Sequence, residues 1–163
     1  MRNRAMCNPA FLALASALGL AACSDSAPSR PQPAFYVDLA RSGTALDPQT
    51  STTIINGYRT NLGLPALEWD PALAEQARGE AARLAARGEL STDALPGNRP
   101  VKGLKRSVSG GYHSFADAFS GWRGSPAHDA VLRAGKGRRY GIGVVARPES
   151  RHRVYWVVLV AEQ

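Results

Sequence analysis

Apolar side chains recur three or four residues apart in several segments, whereas two runs near the C-terminus are apolar at almost every position. The first pattern predicts amphipathic helices and the second predicts buried strands. Asp47-Pro48 opens the first helix as an N-cap followed by proline, and Ile54, Ile55, Tyr58 and Leu62 form its stripe before Gly63. Asp70-Pro71 opens a second helix in the same way. Its stripe is Leu73, Ala74, Ala77, Ala81, Leu84 and Ala85, closed by Gly88, with Trp69 placed to staple the start. Ser114 and Asp117 form a capping box that puts Phe115, Phe119 and Trp122 on one face of a third helix. Ser125-Pro126 opens a short fourth helix through Leu132. Tyr140 to Ala146 and Val154 to Val160 form an antiparallel hairpin, turning around Pro148 to Arg151.

Strands apolar on both faces need cover on both faces, so the predicted fold class is α+β: an α-β-α sandwich whose small, mainly antiparallel sheet lies between helices. Residues 91–111 hold two prolines and four glycines and are expected as loop, with at most a short strand near Val108. Residues 24–34 (SDSAPSRPQPA) carry three prolines without periodicity and suit a tether. The expected division is a signal peptide over 1–22, a lipidated N-terminus and disordered tether over 23–45, and one domain over 46–163.

The N-terminus sets the compartment. Arg2 and Arg4 precede the ten-residue apolar run Phe11 to Leu20, which is too short to span a bilayer but suits an export signal. The sequence LAAC at Leu20 to Cys23 resembles the lipobox of bacterial lipoproteins, which implies cleavage before Cys23 and lipid attachment to its thiol. Several acyl chains, at about 0.8 kcal/mol per buried methylene, make a firm membrane anchor. Ser24 after the cysteine implies sorting to the outer membrane, facing the periplasm. Cys7 leaves with the signal, so no disulfide is expected in the remaining chain.

The formal charge of +7 falls to +5 without Arg2 and Arg4. It is unevenly placed: residues 99–153 hold 12 basic and 3 acidic side chains, whereas 23–98 hold 6 basic and 9 acidic. An exported lipoprotein does not meet chromosomal DNA, so nucleic acid is not an expected partner. The counter-charges to expect are anionic lipid, lipopolysaccharide or peptidoglycan carboxylates, the alternative being a basic surface that serves only solubility.

The segments IINGYRTNLGLPALEWDPALAEQAR and GYHSFADAFSGWRGSPAH, with Asn56, Tyr58, Arg59, Trp69, Trp122 and His128 at their key positions, resemble the bacterial SCP-like form of the CAP superfamily (cysteine-rich secretory proteins, antigen 5 and pathogenesis-related proteins). The resemblance covers about residues 48–163 and implies the same α-β-α sandwich. It also implies a cleft where two His and one or two Glu hold zinc or another divalent cation in some members. His128 matches the second family His. Thr92 stands at the first His position, Arg106 at the Glu of the Glu-Asn pair with Ser107 for the Asn, and Ser125 at the further Glu. One imidazole is too few ligands for zinc, so no metal cofactor is expected.

Ser125 with His128 and Asp129, or Ser114 with His113 and Asp117, supplies the residue types of a nucleophile and base, but neighbours on one short helix point different ways. Both serines are expected as N-caps. The sharper expectation joins Arg106, His128, Thr92 and Ser125 in one cleft that binds an anion. The protein is thus expected to be a monomeric, lipid-anchored envelope binding module. An envelope scaffold and a metal-dependent hydrolase are the alternatives.

Overall fold

The computed structural model describes residues 31–42, 45–91 and 102–162. The expected signal peptide, Cys23 and Thr92 lie outside the described residues. The unit from Gln32 to Gln163 contains five α-helices and four strands among the described residues: α1 (Leu39–Ser42), α2 (Pro48–Asn61), β1 (Glu68–Trp69), α3 (Pro71–Arg87), β2 (Leu104–Gly110), α4 (Phe115–Gly124), α5 (Pro126–Leu132), β3 (Arg139–Ala146) and β4 (Val154–Ala161). The sheet order is β1-β3-β4-β2. β4 pairs antiparallel with both neighbours, and the two-residue β1 pairs parallel with β3.

Alternation along β4 divides the core. Trp156, Val158 and Val160 join Ile55 of α2, Phe115 and Trp122 of α4 and Leu132 of α5, whereas Tyr155, Val157 and Leu159 pack on Ala77, Ala81 and Leu84 of α3. Each face thus has its own helical layer, as a strand without polar positions requires. The α3 backbone lies directly against the sheet. At Gly141 and Gly143 an added Cβ would run into the α3 backbone at Ala74 and Ala77, so glycines on the sheet and alanines on the helix set this spacing.

The N-caps at Asp47 and Asp70 form as expected. Asp70 Oδ1 accepts from the Ala72 and Leu73 amides at 2.8 and 3.1 Å, and Oδ2 takes an ion pair from Arg139 of β3. These amides, chiefly that of Leu73, together with Arg139, hold the Asp70 carboxyl below its ordinary value despite burial. A lowered native pKa contributes stability that is present above the unfolded carboxylate value of about 3.9 and is lost as pH falls through the native value. Thermal unfolding of Asp70→Asn is therefore expected to show a shallower loss of Tm below about pH 4 than the parent chain. Equal slopes would show that Asp70 does not carry this linkage.

The structure departs from the sequence expectations in several places. Residues 34–42, assigned to the tether, fold onto the domain: Leu39 is buried, Phe35, Val37 and Ala40 pack against the core, and the Leu39 amide donates to the His113 carbonyl at 2.8 Å. Residues 104–110, expected mainly as loop, form a seven-residue strand paired along its whole length with β4. Its polar positions concealed it, because Ser107 and Ser109 are buried and Arg106 occupies the same face as Leu104 and Val108. Leu62, placed on the apolar stripe, is exposed because it caps the helix rather than continuing it. Ser125 occupies an N-cap position but makes no side-chain cap bond. Trp69 belongs to β1 and meets Tyr140 edge-on at 5.4 Å.

Candidate functional site

Of the residues expected to share one cleft, Arg106 and His128 do not come together, and Thr92 lies outside the described residues. In β2, Arg106 pairs with Leu159 and Ser107 with Val158, so successive side chains enter opposite layers. Arg106 points to the α3 layer. Its Nη2 donates to Glu80 Oε1 at 3.0 Å, and its Nε lies 2.7 Å from Glu80 Oε2, a close charge contact off the hydrogen-bond line. The Arg106 and Glu80 side chains are only 17% and 5% exposed, and Gln76 Nε2 donates to Glu80 Oε1 at 3.2 Å. His128 lies on α5, in the layer across the sheet. The expected cleft joining Arg106 to His128 is therefore corrected: the sheet separates them, and the guanidinium is engaged by a carboxylate of its own chain.

Glu80 went unnoticed in the sequence although a signal existed. It falls beside Ala77, Ala81 and Leu84 on the buried stripe of α3, just as Arg106 falls in the apolar register of β2. Opposite charges at two positions that should be apolar announce a buried pair.

On the other face, the Ser107 hydroxyl and His128 Nδ1 are buried without a hydrogen-bond partner. Ser114 Oγ donates to Asp117 Oδ2 at 2.7 Å and accepts from the Asp117 amide at 3.2 Å, while His113 Nδ1 is 4.0 Å from Asp38. His113 is thus turned toward α1, not toward Ser114. No group of three or more His, Cys, Asp or Glu converges among the described residues. The donors there do not fit a zinc ion, which needs three or four such ligands.

Four residues that carried the sequence resemblance, Asn56, Tyr58, Arg59 and Trp122, make structural contacts. Asn56 Nδ2 donates to the Leu67 carbonyl and its Oδ1 accepts from the Leu67 amide, both at 2.9 Å, which fixes the extended chain leading to β1 against α2. Tyr58 donates to Asp129 Oδ1 at 2.6 Å, tying α2 to α5, and this bond raises the phenol pKa. Trp122 Nε1 donates to Ser109 Oγ at 2.8 Å. Arg59 is fully buried and donates to the carbonyls of Pro65, Leu132 and Ala134 at 2.8, 2.6 and 3.2 Å.

What remains as a surface for recognition is charge. Gly137 lies so close to Val160 that an added Cβ would be 2.7 Å from Val160 Cγ1, and Lys105 is the β2 partner of Val160. The turn bearing Lys136 and Arg138 therefore lies at the end of the sheet where β2 and β3 begin, the end that also carries Lys105. Lys102 precedes β2 at the same end. All four cations are exposed. Glu162, which follows β4, and Glu68 of β1 are nearby carboxylates, so the cluster is cationic without being purely so. A separate apolar groove of about 510 Å³ lies between Leu39 and Leu46 on one side and Trp69, Ala74, Ile142 and Val144 on the other.

A family profile described as CAP, the cysteine-rich secretory protein family, matches residues 52–160, and the chain belongs to that family. No curated protein matches the chain. Solved structures share its fold. An extracellular SCP-domain protein from Bacillus anthracis is 19% identical with a TM-score of 0.58, covering 71% of this chain and 40% of its own. An outer surface protein from Borrelia burgdorferi is 16% identical with a TM-score of 0.56, covering 71% and 91%. A cysteine-rich secretory protein from Staphylococcus aureus is 21% identical with a TM-score of 0.56, covering 71% and 38%. The chain thus spans about two fifths of the Bacillus and Staphylococcus proteins.

Proposed function

We propose that this CAP-family chain is a bacterial cell-envelope binding module, anchored by lipid at Cys23 and acting through electrostatic contact with an anionic envelope ligand. The observation that carries this reading is the gathering of Lys102, Lys105, Lys136 and Arg138 at one end of the sheet, on the segment where the positive charge of the sequence is concentrated. Each exposed cation contributes little alone, but a fixed cluster adds local potential and draws counter-charge from solution. Arg106, initially expected to supply the anion site, is excluded from this role by its pairing with Glu80. Binding rather than catalysis is the reading because Ser114 is bonded to Asp117 with His113 near Asp38, and His128 Nδ1 has no hydrogen-bond partner.

Two measurements test it. Cys23→Ser is expected to move the full chain out of the membrane fraction, and unchanged membrane retention removes the lipid anchor. The full chain in mild detergent is expected to bind bead-immobilised polyglutamate at about 50 mM salt and to release several-fold at about 300 mM, because exposed charges are screened beyond a Debye length of roughly 6 to 14 Å over that range. No binding at low salt, or binding indifferent to Lys105→Glu with Lys136→Glu, removes the anionic-ligand reading.

A further inference from the structure

The apolar groove beside Trp69 has an open strand edge for its floor. β1 pairs with β3 only at Glu68 with Arg139 and Trp69 with Tyr140, after which Asp70 caps α3 and the chain leaves the sheet. Beyond Tyr140, the outer edge of β3 therefore has no strand beside it among the described residues. Hydrogen bonds at the two ends of β3 show which residues face that edge. The Tyr140 carbonyl accepts from the Asp70 amide at 2.8 Å, on the β1 side, whereas the Arg147 amide donates to the Arg153 carbonyl at 2.7 Å, on the β4 side. The β3–β4 register runs without a bulge between these points. Ile142 and Val144 thus turn their N–H and C=O groups outward, as Tyr140 does, while Gly141, Gly143 and Val145 turn theirs to β4.

The outward groups of Ile142 and Val144 reach no partner among the described residues. Ile142 is only 4% exposed, so its main-chain donor and acceptor are unpaired where little water reaches them. Buried main-chain groups in that state are rare in folded proteins and cost free energy comparable to a lost hydrogen bond. Both residues line the groove, and Ala146 continues the row. The row repeats at every second residue, about 6.6 Å apart at strand rise. Leu39, Leu46 and Ala74 wall the groove with apolar surface, and the charges on its rim, Glu75 and Arg78, are paired with each other at 2.7 Å.

We infer that this groove binds an uncharged, extended peptide segment as an added strand on β3. A periodic row of main-chain donors and acceptors is matched by another polypeptide main chain, whereas an acyl chain would fill the apolar walls and leave Ile142 unpaired. Because Glu75 and Arg78 cancel, the rim offers no net charge to an acidic or basic segment. The added strand continues the ladder where β1 leaves it, and from Ile142 to Ala146 it runs about 13 Å, the length of about four residues. In this mode of recognition main-chain bonds supply affinity and the apolar walls select side chains. The inference uses none of the cationic cluster and does not rest on the anionic-ligand reading.

The test adds a capped hexapeptide of alternating valine and threonine, at millimolar concentration, to the full chain in mild detergent and reads amide hydrogen exchange at Ile142 and Val144. Bound peptide is expected to slow both amides roughly tenfold or more. The same peptide methylated on every amide nitrogen keeps its side chains but has no donors, and should protect neither. Val144→Pro removes one outward donor and leaves the bonds to β4, as proline on an edge strand does, and should weaken binding roughly tenfold when read at Ile142. The methylated peptide keeps the test decisive if this variant does not fold. Equal protection by the two peptides overturns the inference and makes the groove an apolar site without strand pairing. Protection by neither also overturns it. So does protection that rises with chain concentration in the absence of peptide, which makes a second copy of the chain the occupant.

Discussion

Glu80→Ala is expected to destabilise the domain by about 3–5 kcal/mol, measured by urea unfolding. The carboxylate is nearly inaccessible and meets a guanidinium that is itself largely buried. Removing it takes from the largely buried Arg106 the carboxylate it meets between α3 and β2. Exposed ion pairs set the contrast: Arg78 with Glu75, 2.7 Å apart on the solvent face of the same helix, should cost less than about 1 kcal/mol to break. The decisive comparison is the double variant Glu80→Ala with Arg106→Met. If the pair is the cause, the second substitution recovers much of the loss, because two charges are removed and an apolar side chain joins Leu104 and Val108. A double variant as unstable as the sum of the singles would show that the cost is loss of packing.

Gly143→Ala is expected to have an effect of similar or greater size. An added Cβ would fall on the α3 backbone at Ala77 and Arg78, and backbone of a seventeen-residue helix cannot move aside as a side-chain tip can. Overpacking of cores costs about 1–3 kcal/mol when side chains yield, and displacing a helix layer should exceed that range. The expected outcome is a chain recovered mainly in the insoluble fraction, or a lowered urea midpoint if it folds. Gly124→Ala is the control, since nothing lies near its added Cβ. Similar loss for both would point to a general intolerance of alanine instead of the helix contact.

Much of this architecture could be read from residue order. Asp-Pro openings fixed where α2 and α3 begin, and the two apolar runs gave β3 and β4 with cover on both faces, because those signals are local and hydrophobic. β2 was hidden by chemistry that acts only after folding: Ser109 becomes a suitable core residue once Trp122 donates to it, and Arg106 once Glu80 faces it. The folded stretch over 34–42 was hidden by composition, as its short helical turns gain their stability from Phe35, Val37 and Leu39 resting on a core built by later residues. The site reading failed for a related reason. Position counting put Arg106 in a family cleft, but the two-residue period of a strand sends neighbouring side chains to opposite layers, and counting alone does not say which layer receives which residue.

Arg59 has a further consequence. Its guanidinium holds the carbonyls of Leu132 and Ala134 from beneath, so the turn that follows α5 is fixed through its main chain and not through the side chains it displays. The outward residues Lys136 and Arg138 are therefore released from structural duty. Charge reversal at either position is therefore expected to leave the urea midpoint nearly unchanged, since the platform beneath stays the same. The fold has separated what must be kept from what is free to adapt, and the boundary runs between a backbone oxygen and the side chain above it.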